Sequence, residues 1–187
     1  VINMLGTLGV LFDVDLDPTG KGLEYLGGLE QTAATGAALG PVFFDSLPFL
    51  VITGRVVWTG TTSDVIGLRF NGDAGANYWF RTWTASGTGA VFTSAATGSA
   101  PMVRIGGTAG TGARTFLAAV LNIEGTTSPL LNQVSMSTGS AATIGALQFG
   151  SGEYVSTNLI NSVSLHVAGG TASFGADTGF AVFGAAI

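Results

Sequence analysis

Cysteine is absent from this chain, which removes disulfides and thiolate metal sites and makes its fold indifferent to the redox state of its surroundings. Charge is scarce as well. Only 9% of the residues are Asp, Glu, Lys or Arg, against the roughly 25% usual for soluble domains, so something other than water is expected to cover part of the surface. Of the two signs the basic one is the rarer: six Lys and Arg in 187 against 11 Asp and Glu, never clustered. Phosphate neutralisation needs a basic stripe, so nucleic acid is not an expected partner. No apolar run reaches the length of about 18 residues that a membrane helix needs. With 3 Trp and 3 Tyr the aromatic girdles of a membrane barrel are not supplied either, and no membrane association is expected. Val1-Ile2-Asn3-Met4-Leu5 lacks a basic leader region and a cleavage site, so no signal peptide is expected.

What the sequence has is glycine, 30 residues of it, set among a 47% hydrophobic fraction that excludes disorder. Short apolar segments separated by Gly, Ser, Thr and Asn turns predict strands at 49–59, 65–70, 78–84, 101–105, 116–123, 131–137, 146–149, 159–167 and 179–183. In the clearest of them Val163, Leu165 and Val167 alternate with Ser162, Ser164 and His166, which predicts one buried and one polar face. Ile66, Leu68 and Phe70 alternate similarly with Gly67 and Arg69. The segment 116–123 is apolar on both faces except at Asn122, as suits a strand covered on both sides or a short buried helix. The expected fold is therefore all-β; the spacing is typical of sandwiches and barrels alike, and an antiparallel jelly-roll-like β-sandwich over 47–187 is the form expected.

Residues 1–46 differ in character and are expected to form an extended N-terminal arm, or a first hairpin followed by a long loop. The whole net charge of -5 arises here: Asp13, Asp15, Asp17, Glu24, Glu30 and Asp45 face only Lys21, whereas the rest of the chain holds five acids and five arginines. Leu5, Leu11, Phe12, Val14 and Leu16 are the apolar positions through which such an arm would lie on a neighbouring subunit. Asp13, Asp15, Asp17 and Glu24 fall at positions 1, 3, 5 and 12 of a calcium-loop template and are the metal candidate. Pro18 stands where that template has its glycine, and Val14 and Leu16 between the acids suit instead a strand whose acid row faces solvent or a partner's arginine.

Catalytic chemistry is not expected. His166, the single histidine, sits on the polar face of a strand, and no G-x-S-x-G elbow surrounds a serine. Asp64, Asp73, Glu124, Glu153 and Asp177 show no spacing that selects a glycosidase pair; a cell-wall polysaccharide hydrolase, resting on Asp64, Asp73 or Glu153, is the remotest reading. The glycine-rich stretches 106–112 and 150–152 lack the Lys-Ser/Thr of a phosphate loop. Trp58, Tyr78, Trp79, Phe80 and Trp83 form an aromatic concentration suited to core or subunit-interface packing, or, at Trp58, Trp79 and Trp83, to stacking on a glycan.

Leu68-Arg69-Phe70-Asn71-Gly72-Asp73-Ala74-Gly75-Ala76-Asn77-Tyr78 is the most distinctive segment, a strand running into a tight turn with Asn71-Gly72 as a hairpin signal. It resembles the L-R-F-N-G-D-x-G-x-N-Y signature of a group of tailed-bacteriophage virion proteins. The likeness extends to the strand Phe49-Leu50-Val51-Ile52-Thr53-Gly54-Arg55 and to Ile160-Asn161-Ser162-Val163-Ser164-Leu165 with its Gly/Phe-rich sequel, and covers roughly residues 47–187. The resemblance implies a β-sandwich in the virion, without catalytic residues. The expected role is a capsid decoration or cement protein bridging neighbouring subunits, its partners other virion proteins such as the major capsid protein, and its own state a homo-oligomer, a trimer before other orders. A tail or fibre component binding a host glycan is the alternative; a chain without heptads or a stalk favours decoration.

Overall fold

The computed structural model describes residues 22–33, 36–59, 65–86, 91–100, 102–107, 112–125, 128–138, 144–168 and 172–186. The expected N-terminal arm, up to residue 21, lies outside them. Every regular element among the described residues is a strand. In order they are β1 (Glu24–Gln31), β2 (Ala38–Phe43), β3 (Phe49–Thr59), β4 (Val65–Phe70), β5 (Tyr78–Ser86), β6 (Val91–Ala100), β7 (Val103–Gly107), β8 (Gly112–Leu121), β9 (Ser128–Thr138), β10 (Ile144–Tyr154), β11 (Ser162–Ala168), β12 (Ser173–Phe174) and β13 (Thr178–Ala185).

These strands form two antiparallel sheets, one ordered β1-β13-β3-β8-β9-β10-β5-β6 with β12 on β3, the other ordered β2-β11-β4-β7. The pairings β1–β13, β2–β11, β3–β8 and β4–β7 nest inside one another, as in a single long hairpin. Wrapping that hairpin so that β13 also meets β3 and β11 also meets β4 yields the two sheets, and this is the jelly roll: counting only these eight strands, one sheet reads first-eighth-third-sixth and the other second-seventh-fourth-fifth. Two hairpins are inserted into it. β5–β6 follows β4, β9–β10 follows β8, and together they extend the larger sheet by four strands.

Alternation in the strands decides the core. On β3, Leu50, Ile52, Val56 and Trp58 point between the sheets; they meet Phe116, Ala118 and Val120 of β8, Phe180 and Val182 of β13, Ile66, Leu68 and Phe70 of β4, and Val163 and Leu165 of β11, all buried. Each large side chain so buried contributes about 1.5–3 kcal/mol. The segment 116–123 is thus strand up to Leu121, not helix. Asn122, next in the chain, is buried and saturated: its amide donates to the Leu47 and Ile160 carbonyls and its Oδ1 accepts from the Ile160 amide at 2.7 Å. It ties the entry to β3 to the approach to β11.

The sandwich begins earlier than residue 47. Glu24–Gln31 and Ala38–Phe43 are strands of the two sheets, not an arm or a hairpin, since each finds its partner near the C-terminus. Glycines at 27, 28 and 40 and Pro41 hide this in the sequence, because those residues signal loops unless a tertiary partner supplies the ladder.

Candidate interaction surface

The signature segment 68–78 forms a corner between the sheets. Asn71 (φ 54°) and Gly72 (φ 67°) both adopt left-handed backbone, and the Asp73 amide donates to the Phe70 carbonyl at 2.9 Å, so the turn is of the type that the Asn-Gly pair favours. It is nonetheless not a hairpin turn. β4 lies in the smaller sheet and β5 in the larger one, so the expected hairpin is corrected to a crossing. Asp73 redirects the chain, its Oδ1 accepting from the Gly75 amide at 2.7 Å and its Oδ2 from Asn77 Nδ2 at 2.8 Å. The Tyr78 hydroxyl then reaches back to accept from the Phe70 amide at 3.0 Å and to donate to the Asp73 carbonyl at 3.0 Å, as tyrosines do at sandwich corners. Tyr78 stacks on Tyr154 at 4.9 Å with Phe70 edge-on to Tyr154 at 5.5 Å. Burial pulls the Asp73 carboxyl up, but the bonds from Asn77 and Gly75 outweigh it and hold the group below the usual carboxylate range. Asp73 is thus committed to its own loop.

His166 is half-buried, not an exposed strand residue. Its Nε2 lies 2.9 Å from Ser164 Oγ and its Nδ1 3.4 Å from Arg69 Nη1. Arginine can only donate, so Nδ1 accepts and Nε2 carries the proton, donating to Ser164. In that tautomer the imidazole is unable to take the serine proton, and a cation stands where a serine–histidine dyad has a carboxylate. Burial and, after it, the Arg69 charge push its pKa down to about 4. The pair therefore holds β11 to β4 and lacks the arrangement of a nucleophile with its base.

The remaining candidates are scattered. Glu124 lies beside an open, polar depression of about 430 Å³ also lined by Ser46, Asn71, Thr157 and Asn158; Asp177 holds a positive-φ turn; Asp64 lies outside the described residues. So do Asp13, Asp15 and Asp17 of the calcium template and the arm positions Leu5, Leu11, Phe12, Val14 and Leu16, while Glu24 opens β1, exposed. Among the described residues no three His, Asp or Glu side chains gather as a metal site would need. Arg114 is buried, donating to Gln148 Oε1 at 3.1 Å and to the Ile105 carbonyl, with its pKa lowered to about 10 by burial and then by the like charge of Arg104.

The three tryptophans separate by strand parity. Trp58 points into the core and is 4% exposed, over Gly112, which has no room for a Cβ beneath the indole; it is removed from any glycan platform. Trp79 and Trp83 point out of the larger sheet, 48% and 37% exposed, with Arg81 between them. Register places Phe149 opposite Trp83, Ser151 opposite Arg81 and Glu153 opposite Trp79. Phe149, 37% exposed, is not legible from the sequence: alternation with Gln148 points the phenyl ring inward, and the structure reverses the two faces because buried Arg114 takes the Gln148 side chain inside.

This outward face continues across the sheet through Leu117 and Leu121 of β8, Val51 and Val57 of β3 and Phe183 of β13, all half-buried, to Tyr25, exposed on β1 and edge-on to Phe183 at 5.6 Å. Charge on it is sparse and balanced: Arg55 and Arg81 against Glu30 and Glu153. The larger sheet as a whole, eight strands at about 4.8 Å spacing and about 3.3 Å per residue, extends over an area on the order of 1,000 Å².

A comparison with protein-family models gives no match, and a comparison with curated proteins gives none. Among solved structures, that of infectious bursal disease virus Gx strain aligns at 13% identity over 87% of this chain and 40% of the other, with a TM-score of 0.14, a likeness too slight to carry any argument.

Proposed function

We propose that this chain is a virion structural protein, a capsid decoration or cement protein of a tailed bacteriophage that bridges and stabilises neighbouring capsid subunits. The observation that carries the reading is the apolar outward face of the larger sheet. A sheet on the order of 1,000 Å² has room for the roughly 800 Å² per partner of a standard protein interface, and its exposed Trp79, Trp83 and Arg81 are the residue types that anchor such interfaces. Jelly-roll topology and the resemblance of the corner segment to phage virion proteins support the same reading. The mechanism is additive: many copies, each bridging its neighbours through a broad and weakly charged face, resist expansion of the shell.

A second reading is favoured by one detail, the placement of Trp79 and Trp83 on one line with Arg81 between them, which suits a tail or fibre protein stacking on a host-surface glycan. Specific signals on a glycan array, lost in Trp83→Ala, would establish it.

Antibody labelling of purified particles, viewed by electron microscopy, tests the main reading. Label spread over the capsid facets supports decoration. Label confined to the tail promotes the receptor-binding reading, and absence of the protein from the particles ends the virion assignment.

A further inference from the structure

A sheet edge exposes a row of unpaired backbone donors and acceptors, and proteins blunt such edges with charge, proline, bulges or shortness. Three of the four edges among the described strands are blunted. β1 carries Glu24 and Glu30 and a bulge between Tyr25 and Gly27. β2 contains Pro41, and its register with β11 is interrupted between Leu39 and Val42. β7 spans only five residues and includes Arg104. The fourth edge is different. β6, Val91-Phe92-Thr93-Ser94-Ala95-Ala96-Thr97-Gly98-Ser99-Ala100, has ten residues, no charge and no proline. Its one irregularity against β5 falls after Thr97, so 91–97 is regular strand. No described strand pairs with its outer side.

We propose that β6 is a self-association edge, closed by the β6 of a second copy running antiparallel to it across a two-fold axis. A two-fold makes the contact self-complementary, each strand supplying the donors that the other's acceptors need. Charge allows it: the net -5 arises wholly before Ser46, and the five acids and five arginines that follow balance, so two copies bring uncharged strands together without repulsion at the seam. The larger sheets of the two copies would then run on as one, doubling the outward face that carries Trp79 and Trp83. This unit is two-fold, unlike the trimer expected from sequence, and it does not depend on the virion reading.

Sedimentation velocity on the full chain, at protein concentrations from submicromolar upward, tests the proposal together with hydrogen exchange followed by mass spectrometry. The expected result is a monomer–dimer equilibrium in which amides of 91–100 gain protection in the dimer. Ser94→Lys, at the register position opposite Trp83, places two lysines at one seam and weakens dimerisation roughly tenfold or more. A chain that stays monomeric throughout overturns the proposal. So does a dimer in which 91–100 exchanges as in the monomer, a reading that needs no variant and survives misfolding of the lysine one. A dimer broken by Trp79→Ala with Trp83→Ala and indifferent to Ser94→Lys assigns the contact to the sheet face and overturns it too.

Discussion

At the scale of single residues, the polar groups of this protein are used for architecture, and pH should reveal it. His166 has its pKa lowered from 6.5 to about 4 in the fold by burial and Arg69. Between those values the unfolded chain binds a proton that the folded chain refuses, so stability falls as pH drops from 6.5 towards 4 and this group adds no slope outside that window. Asp73, held below its ordinary 3.8, acts lower: its contribution is lost only as pH falls below that value. Thermal unfolding of His166→Gln across a pH series should lack the slope between 6.5 and 4 and keep the one below it; an unchanged slope in the variant would remove His166 as its source. The sequence placed His166 on the polar side of its strand, which is correct, but Arg69 sits 97 residues away in sequence and nothing local announces it. Trp58, read as core or as glycan platform, is core, and parity was enough to choose: it shares even numbering with Leu50, Ile52 and Val56 on one strand, which points it inward.

Among the elements, legibility follows side-chain size. β4 and β11 show their alternation in large residues and were expected almost to their ends. β6 is made of small ones, β1 and β2 are interrupted by glycine and proline, and in such segments strand structure comes from the neighbour's ladder and not from the segment's own preference. The Asn71-Gly72 turn was legible as a turn but not as a crossing, because a turn's sequence specifies its dihedrals and not the sheet that receives the chain. Glycine placement gives a test at this scale. A Cβ at Gly152 would overlap the Trp79 carbonyl and lie 2.8 Å from Phe80 Cα, backbone atoms that have no freedom to give way. Gly152→Ala should therefore force β10 from β5 and cost about 1–3 kcal/mol, as overpacking does, with a changed Trp emission as the separation alters the surroundings of Trp79 on β5. Denaturant unfolding followed by fluorescence measures both, and a variant as stable as the parent would show that the two strands are free to separate locally.

On the scale of the whole molecule, the all-β, jelly-roll-like sandwich was expected from the sequence, whereas the individual strand partners were not legible: Glu24 pairs with Gly184, and contacts so distant leave no mark on either segment. The consequence for function lies in what the nesting leaves outside. Segment 116–123, apolar on both sides, was expected to be covered on both; within the chain its inner side is buried and Leu117 and Leu121 remain half-buried on the outer one. The missing cover is what the proposed capsid partner would supply, and Leu117 tests it. Leu117 pairs with Thr53 and Val134 at the middle of the larger sheet. Leu117→Asp sets a carboxylate where the free protein still admits water, so the isolated fold should lose about 1 kcal/mol or less. Against a particle the same carboxylate would be buried without a partner, at a cost of several kcal/mol. Copies per particle should therefore fall roughly tenfold or more, while Asn158→Asp, in an exposed loop at the end of the sandwich, assembles as the parent does. Because the face is apolar and its few charges balance, attachment of the parent should persist in molar salt, where exposed charge pairs are screened. A Leu117→Asp chain that decorates particles at full occupancy, or a parent that salt washes off, would move the attachment away from this sheet and onto charged surface elsewhere.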